Sequence, residues 1–247
     1  MHETADRKIV EFLAANGYHP RSSKHGDAIC EFLILDLMRH CPSFSHACAE
    51  GRIVAQSNFT IDPDSPDRWN VDLVVGPPGK ERAKSTEMFA GVPRSDPSEI
   101  WIAIDAKTIM TEHGKARRNR QRDLNSFQDI LHRKSPRTIV GGLLVVNVAE
   151  RFQTPLARAS GPVTEHKNVK RLVSEIGDLM GGLPRASEEP GTPGLEGLGV
   201  VVVSHTNIPG DRTTLLATPP APANGHPLHY QSFLRDICAA FTKRFGK

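Results

Sequence analysis

Four short apolar runs constrain the fold of this chain more than any other feature of its sequence. They cover residues 69–75, 100–110, 138–148 and 198–204, and all four are rich in aliphatic side chains. Runs of this length fit strands that are buried on both faces. Segments with helical periodicity lie between and around them. This order predicts the α/β class, with a mixed β-sheet flanked by α-helices.

The remaining elements follow from periodicity and turn chemistry. Amphipathic patterns predict helices at residues 4–16, 24–39, 168–180 and 228–245, and a basic helix that ends near residue 132. Residues 51–61 predict a strand that the turn 62–67 joins to the run 69–75 as an antiparallel hairpin. The 247 residues favour one domain, although two smaller ones would fit. Its core would span about 24–148, with the strand and helix of 198–247 packed on it.

Two opposite charges interrupt the apolar run 100–110. Asp105 and Lys107 are two positions apart, so their side chains leave a strand on the same face. Burying a carboxylate and an ammonium is costly unless the two groups pair or bind something. Asp72 interrupts the run 69–75 in the same way. The sequence therefore predicts a site where these two strands meet.

Asp72 and the triplet Asp105-Ala106-Lys107 resemble the PD-(D/E)xK signature of the restriction-endonuclease-like nuclease superfamily, with Val71 in the place of the leading proline. The resemblance covers roughly residues 24–148. Residues 105–124, DAKTIMTEHGKARRNRQRDL, are similar to the segment after the catalytic lysine in some type II restriction enzymes. The implied fold is a restriction-endonuclease-like mixed sheet flanked by helices.

The resemblance also implies a mechanism. Phosphodiester hydrolysis needs a hydroxide-like nucleophile and neutralisation of charge on the phosphate, and a divalent metal supplies both. Mg²⁺, which Mn²⁺ could replace, would be held by Asp72, Asp105 and the backbone carbonyl of Ala106. Lys107 would orient the attacking water or stabilise the transition state.

Glu31 is the candidate fourth catalytic residue. It lies among Ala28, Ile34, Leu35 and Met38 on the helix 24–39, so its carboxylate would emerge from an apolar stripe. In the superfamily, a helix before the first core strand often adds an acid to the metal site. An exposed helix glutamate is the equally weighted alternative.

Cations crowd the helix that follows residue 110. Lys115, Arg118 and Arg122 align at i, i+3 and i+7 and could meet DNA phosphates, and Arg117 and His113 are further candidates. The alternative is a solvated charged face. The polar loop 76–98 also carries cations, and either a DNA-facing arm or a solvated excursion would fit it.

Composition limits the class of protein. The net charge of +3 does not by itself establish a nucleic-acid partner. No signal-like or membrane-spanning apolar run is present, so we expect a cytoplasmic protein without a membrane partner. We expect reduced thiols at Cys30, Cys41, Cys48 and Cys238. A zinc cluster of His40, Cys41, His46 and Cys48 is disfavoured by its spacing.

Three functions are compatible with these features. The favoured one is a type II restriction enzyme that cuts double-stranded DNA as a homodimer with Mg²⁺. The second is a repair, mobile-element or modification-dependent nuclease of the same fold. The third is a non-catalytic α/β DNA-binding module in which Asp105 and Lys107 form a structural pair. The sequence contains no phosphate-binding P-loop motif and no G-x-S-x-G elbow.

Overall fold

A computed structural model describes residues 3–62, 64, 68–79, 87–155 and 160–247. The helices are α1 (Ala5–Asn16), α2 (Lys24–His40), α3 (Pro42–Ala49), α4 (His113–Lys134), α5 (Val169–Gly181) and α6 (Tyr230–Phe245). The strands are β1 (Val54–Ile61), β2 (Trp69–Gly76), β3 (Met88–Phe89), β4 (Val92–Pro93), β5 (Ile102–Ile109), β6 (Ile139–Asn147), β7 (Arg151–Pro155), β8 (Ser160–Glu165), β9 (Gly197–Ser204) and β10 (Thr214–Leu215).

In the described part of the chain, six strands form one mixed sheet in the order β1-β2-β5-β6-β9-β10. Strands β1 and β2 form the predicted antiparallel hairpin, and β5 pairs antiparallel with β2. Strands β5, β6 and β9 are parallel, while β10 returns antiparallel to β9. The predicted fold class, a mixed α/β sheet flanked by helices, is confirmed.

Helices cover both faces of the sheet. Helices α1, α2, α3 and α6 pack on one face, which we call the α2 layer, and α4 and α5 pack on the other, the α4 layer. Every residue of β6 is buried between them. This position explains why its sequence is continuously apolar rather than alternating. No helix within the described ranges is long and apolar enough to cross a bilayer.

A buried carboxylate ties the α2 layer together. Asp36 of α2 is fully buried and accepts hydrogen bonds from the Ala5 amide at 2.7 Å and the Tyr230 hydroxyl at 2.8 Å. Burial, together with the charge of Asp36, raises the pKa of Tyr230. Three helices therefore meet at one acid, which the sequence analysis did not single out.

Cys41 and Cys238 form a disulfide, with 5.5 Å between their Cα atoms. The prediction of reduced thiols is wrong for this pair, because the junction of α2 and α3 packs against α6 and brings together residues 197 positions apart. Cys30 and Cys48 are free. Among the described residues, no group of three or more His, Cys, Asp or Glu side chains is placed to hold a metal.

A buried ion pair anchors α6 to the start of β9. The Arg244 side chain is 1% exposed, and its Nη2 atom lies 2.9 Å from Oε1 of Glu196. The other oxygen of Glu196 accepts the Val140 amide at 2.7 Å. The guanidinium also donates to the backbone carbonyls of Arg137, Thr138, Ser187, Glu188 and Glu189. The segment that precedes β9 is thus fixed to α6 by one side chain.

Two predicted loops fall partly outside the described residues. Positions 63 and 65–67 of the turn 62–67, and positions 80–86 of the loop 76–98, lie there. Arg94, a cation of the second loop, donates to Gln56 at 3.1 Å and Ser57 at 2.9 Å and lies over the Phe89 ring. These contacts fasten the loop to β1, so Arg94 serves packing rather than a DNA-facing arm.

Candidate active site

The β1–β2 hairpin changes face halfway along its length. Ala55 and Leu73 pack in the α2 layer, whereas Phe59 and Val71 pack in the α4 layer. Asn58 lies at the change, has a φ of 52°, and stands opposite Asp72 in the register. Asparagine adopts this left-handed conformation more readily than most residues. Asp72 therefore sits at the boundary between the two layers.

The sheet opens next to Asp72. The β2–β5 ladder reaches Leu73 opposite Ile104 and is not continued beyond that pair. The next amide on this edge of β5, that of Ala106, donates to Oδ2 of Asp72 at 2.7 Å. A carboxylate thus replaces a backbone acceptor. Because the N–H and C=O of one residue leave an extended strand on the same side, the Ala106 carbonyl also faces this opening.

Lys107 joins the two acids. Its ammonium donates to Oδ1 of Asp105 and lies 3.5 Å from Oδ2 of Asp72. Asp105 is fully buried, whereas Asp72 and Lys107 are each about one-quarter exposed or less. Asp105 and Lys107 share a face of β5, as their spacing predicts, and Asp72 approaches them from β2. The structure thus brings together the three residues of the motif.

Burial sets the protonation of this group. It raises the pKa of Asp105 to about 7, with the negative charge of Asp72 adding to the rise and Lys107 partly offsetting it. Burial alone would lower the pKa of Lys107, but the charges of Asp105 and Asp72 outweigh it and leave that pKa raised. The site therefore contains an acid that is difficult to ionise beside an ammonium that is difficult to neutralise.

The donor set fits a hard divalent cation. Oδ2 of Asp105 is buried and has no hydrogen-bond partner among the described residues. A buried acceptor without a donor is costly, and a cation would satisfy it. Asp72 and the Ala106 carbonyl supply further oxygen donors at the same opening. Two carboxylates are enough for Mg²⁺, which usually keeps several waters and substrate oxygens as its other ligands.

Helix α2 brings Asp27 to this site. Its Oδ1 atom accepts a hydrogen bond from Asn58 Nδ2 at 2.9 Å. Burial lowers the pKa of His25, and the charges of Asp72 and Asp27 partly counteract this. Burial raises the pKa of Cys30, and the charges of Asp72, Asp27 and Asp105 raise it further. The electrostatic field of the site therefore extends to Asp27, His25 and Cys30. The sequence analysis assigned none of these three residues to the site.

Glu31 is not part of this group. Its side chain is exposed, which agrees with the alternative of an exposed helix glutamate rather than with a carboxylate desolvated within an apolar stripe. No described hydrogen bond or ion pair joins it to Asp72, Asp105 or Lys107. The stripe of apolar neighbours is real, but the helix turns it towards the sheet and leaves Glu31 at its solvent edge. Asp27, one turn earlier, faces the hairpin instead.

We expect Asp27→Asn to reduce metal-dependent DNA cleavage roughly 10-fold or more, whereas Glu31→Gln leaves it unchanged. Groups that orient metal ligands are typically worth 10- to 100-fold in activity, and Asp27 holds Asn58 opposite Asp72. Initial cleavage rates of the two variants at matched metal concentration make the test. Equal rates for both variants would contradict the assignment of Asp27.

The predicted DNA-binding residues of α4 divide into separate groups. His113 is buried, its Nε2 atom lies 2.6 Å from the Asn147 carbonyl oxygen, and its ring packs on His166. Burial lowers its pKa. The prediction that His113 contacts DNA is wrong, because this residue fixes the start of α4 to the end of β6. Arg117 is paired with Glu175 of α5 and links the two helices.

Lys115, Arg118 and Arg122 are exposed, and the described part of the structure shows no ion pair for any of them. At 100° per residue they lie within about 60° of one another, as the predicted stripe requires. Arg120 lies roughly 160° from Arg122 around the helix. The stripe therefore faces solvent, while Arg120 faces the sheet.

A cleft beside Lys107, here called the α4 cleft, separates β2 from α4. Its lining residues are Thr60, Arg68, Trp69, Asn70, Lys107, Arg120 and Asp123. Trp69 stacks on Phe127, with ring centroids 6.3 Å apart, and so forms a fixed wall. The sequence analysis did not single out Arg120, since helical spacing alone does not show which face of α4 meets the sheet.

No protein-family model, no curated protein and no solved structure matches the chain. The arrangement of its own residues is therefore the basis for a functional proposal.

Proposed function

We propose that this protein is a metal-dependent endonuclease that hydrolyses phosphodiester bonds of double-stranded DNA, and more specifically a sequence-specific type II restriction enzyme acting as a homodimer. The observation that carries the proposal is the opening between β2 and β5. There, two carboxylates from adjacent strands, one backbone carbonyl and one lysine converge. This is the arrangement that the PD-(D/E)xK resemblance implies.

Each group has a role in the proposed reaction. Asp72, Asp105 and the Ala106 carbonyl would hold Mg²⁺ or Mn²⁺, which would supply a hydroxide-like nucleophile and neutralise phosphate charge. The Ala106 amide keeps the Asp72 carboxylate oriented. Lys107 would position the attacking water or stabilise the charge that develops on phosphate.

The unsatisfied oxygen of Asp105 favours a catalytic site over a structural ion pair. In a pair kept for stability, both carboxylate oxygens would be expected to have donors. Here one oxygen is buried without a partner among the described residues, and the pKa of Asp105 is raised to about 7. Strongly perturbed acids beside a cleft are typical of functional sites.

The test is incubation of the purified protein with unmodified plasmid DNA and Mg²⁺ or Mn²⁺, followed by mapping of the fragment ends. We expect discrete fragments whose ends share one short sequence, and no cleavage in chelator. Palindromic ends would support a two-fold symmetric dimer. Nicking, or cleavage only of modified or branched DNA, would favour the repair, mobile-element or modification-dependent alternative. Absence of all cleavage under these conditions would contradict the nuclease proposal.

A further inference from the structure

Arg120 is held on one side only. Its Nη1 atom donates to Oδ2 of Asp123 at 3.0 Å, one turn along α4. Its Nε atom is buried and has no hydrogen-bond partner among the residues that the structure describes. Arginine presents its donors in a planar fork, and a buried N–H without an acceptor is costly. The α4 cleft therefore contains a guanidinium with unused donor capacity.

The surroundings of Arg120 indicate which ligand would use that capacity. Lys107 and Arg68 also line the α4 cleft, and Thr60 and Asn70 add uncharged polar groups. Lys107 is paired with Asp105, and Arg120 with Asp123, so each of these cations has a carboxylate on one side while it lines the cleft. An anion that enters the cleft would bind to their remaining donors. A phosphodiester is such an anion, and its oxygens match the arginine fork.

We propose that Arg120 binds a phosphate of the DNA in the α4 cleft, using Nε and one Nη, with Asp123 holding the guanidinium in place when the cleft contains no DNA. This inference rests on the proposed function and assigns the contact with the reacting strand to a residue outside the motif. It also separates Arg120 from the stripe of Lys115, Arg118 and Arg122, which faces away from Lys107.

Binding and cleavage are measured separately to test this proposal. Binding of a fluorescent DNA duplex is measured by anisotropy in the Asp105→Asn background, so that no strand is cut. We expect Arg120→Gln to weaken binding roughly 10- to 100-fold, the effect of losing hydrogen bonds to a charged group. Arg235→Gln is the control, because Arg235 is an exposed arginine of α6, in the α2 layer on the other face of the sheet, and it should leave binding unchanged.

Arg120→Lys tests the geometry of the contact, because lysine keeps the charge but lacks the fork. We expect it to recover only part of the lost affinity. In otherwise wild-type protein, Arg120→Gln should also lower kcat if the phosphate is the scissile one, whereas Arg235→Gln should leave both kcat and KM unchanged. Thermal melting of each variant checks that the fold is retained.

The outcomes separate this proposal from the proposed function. If the wild-type protein cuts no DNA, the nuclease proposal fails, but the binding comparison still decides the role of Arg120. Equal affinity of the Arg120→Gln and Arg235→Gln variants would overturn the phosphate contact, even in an active nuclease. Full recovery by Arg120→Lys would overturn the two-pronged contact. Failure of the Asp105→Asn parent to bind DNA would overturn the proposal as well.

Discussion

Asp105→Asn is expected to reduce DNA cleavage by on the order of a thousandfold or more while the protein stays folded. The substitution removes a carboxylate that would hold the metal and that pairs with Lys107. Asparagine has nearly the same shape, so the buried position can be filled without a cavity. Cleavage is measured as initial rate at saturating Mg²⁺, and a wild-type rate in the variant would refute the site.

The same substitution should increase stability in the absence of metal, and the sign follows from the raised pKa. The pKa of Asp105 is about 7 in the folded chain against an ordinary value of 3.8, so folding favours its protonated form. Its contribution to stability is fully present below pH 4 and is lost as the pH rises to about 7. The difference between these two pKa values corresponds to a contribution of about 4 kcal/mol at most to the free energy of unfolding.

Urea unfolding in chelator between pH 4 and 8 measures this effect. We expect the free energy of unfolding of the wild-type protein to fall, relative to the variant, across pH 4–7 and to stay level above pH 7. Addition of Mg²⁺ should narrow the difference, because a bound cation favours the ionised carboxylate of the wild type. If the free energies of unfolding of both proteins changed with pH in parallel, ionisation of Asp105 would not cost stability, and the expectation would be contradicted.

Arg244→Leu is expected to lower the free energy of unfolding by about 3–5 kcal/mol, the usual effect of removing one partner from a buried ion pair. The substitution would leave Glu196 charged and buried, and it would remove a donor from five backbone carbonyls. Denaturant unfolding measures the loss.

Arg235→Leu is the matched control, because Arg235 lies on the same helix, is 66% exposed, and among the described residues pairs with its sequence neighbour Asp236 alone. We expect a change below about 1 kcal/mol there. Adding Glu196→Gln to Arg244→Leu should recover part of the lost stability, since the amide removes the unpaired charge yet can still accept the Val140 amide. Similar losses for Arg244→Leu and Arg235→Leu would contradict the anchoring role.

The sequence was sufficient for those parts of the fold and site that depend on local periodicity. The four apolar runs correspond to β2, β5, β6 and β9, with ends displaced by no more than a few residues. That Asp105 and Lys107 share one face of β5 followed from the alternation of side chains along a strand. The elements missed are short or isolated: α3, the two-residue strands β3, β4 and β10, and the hairpin β7–β8. A strand of two residues is too short to show the alternation of apolar and polar side chains.

The roles that the sequence could not assign to residues depend on how a helix is rotated against the sheet. Asp27 and Glu31 are one turn apart, and spacing alone does not show which of them meets the hairpin. Arg120 and the exposed stripe of α4 differ in the same way. His113 was grouped with its basic neighbours because the surrounding sequence is polar and does not indicate that the first residue of the helix is buried. The disulfide of Cys41 with Cys238 depends on packing between distant helices.

The left-handed residue Asn58 has a consequence for what could be moved to another protein. It turns the hairpin from one layer to the other opposite Asp72, and its side chain is fastened to Asp27 at the start of α2. A graft of Asp72, Asp105 and Lys107 onto a regular sheet would point the first acid along the normal alternation of its strand. The smallest portable form of this centre therefore includes the bent hairpin and the first turn of α2. A transplanted triad without them would carry the same functional groups but would not direct the Asp72 carboxylate towards Asp105 and Lys107.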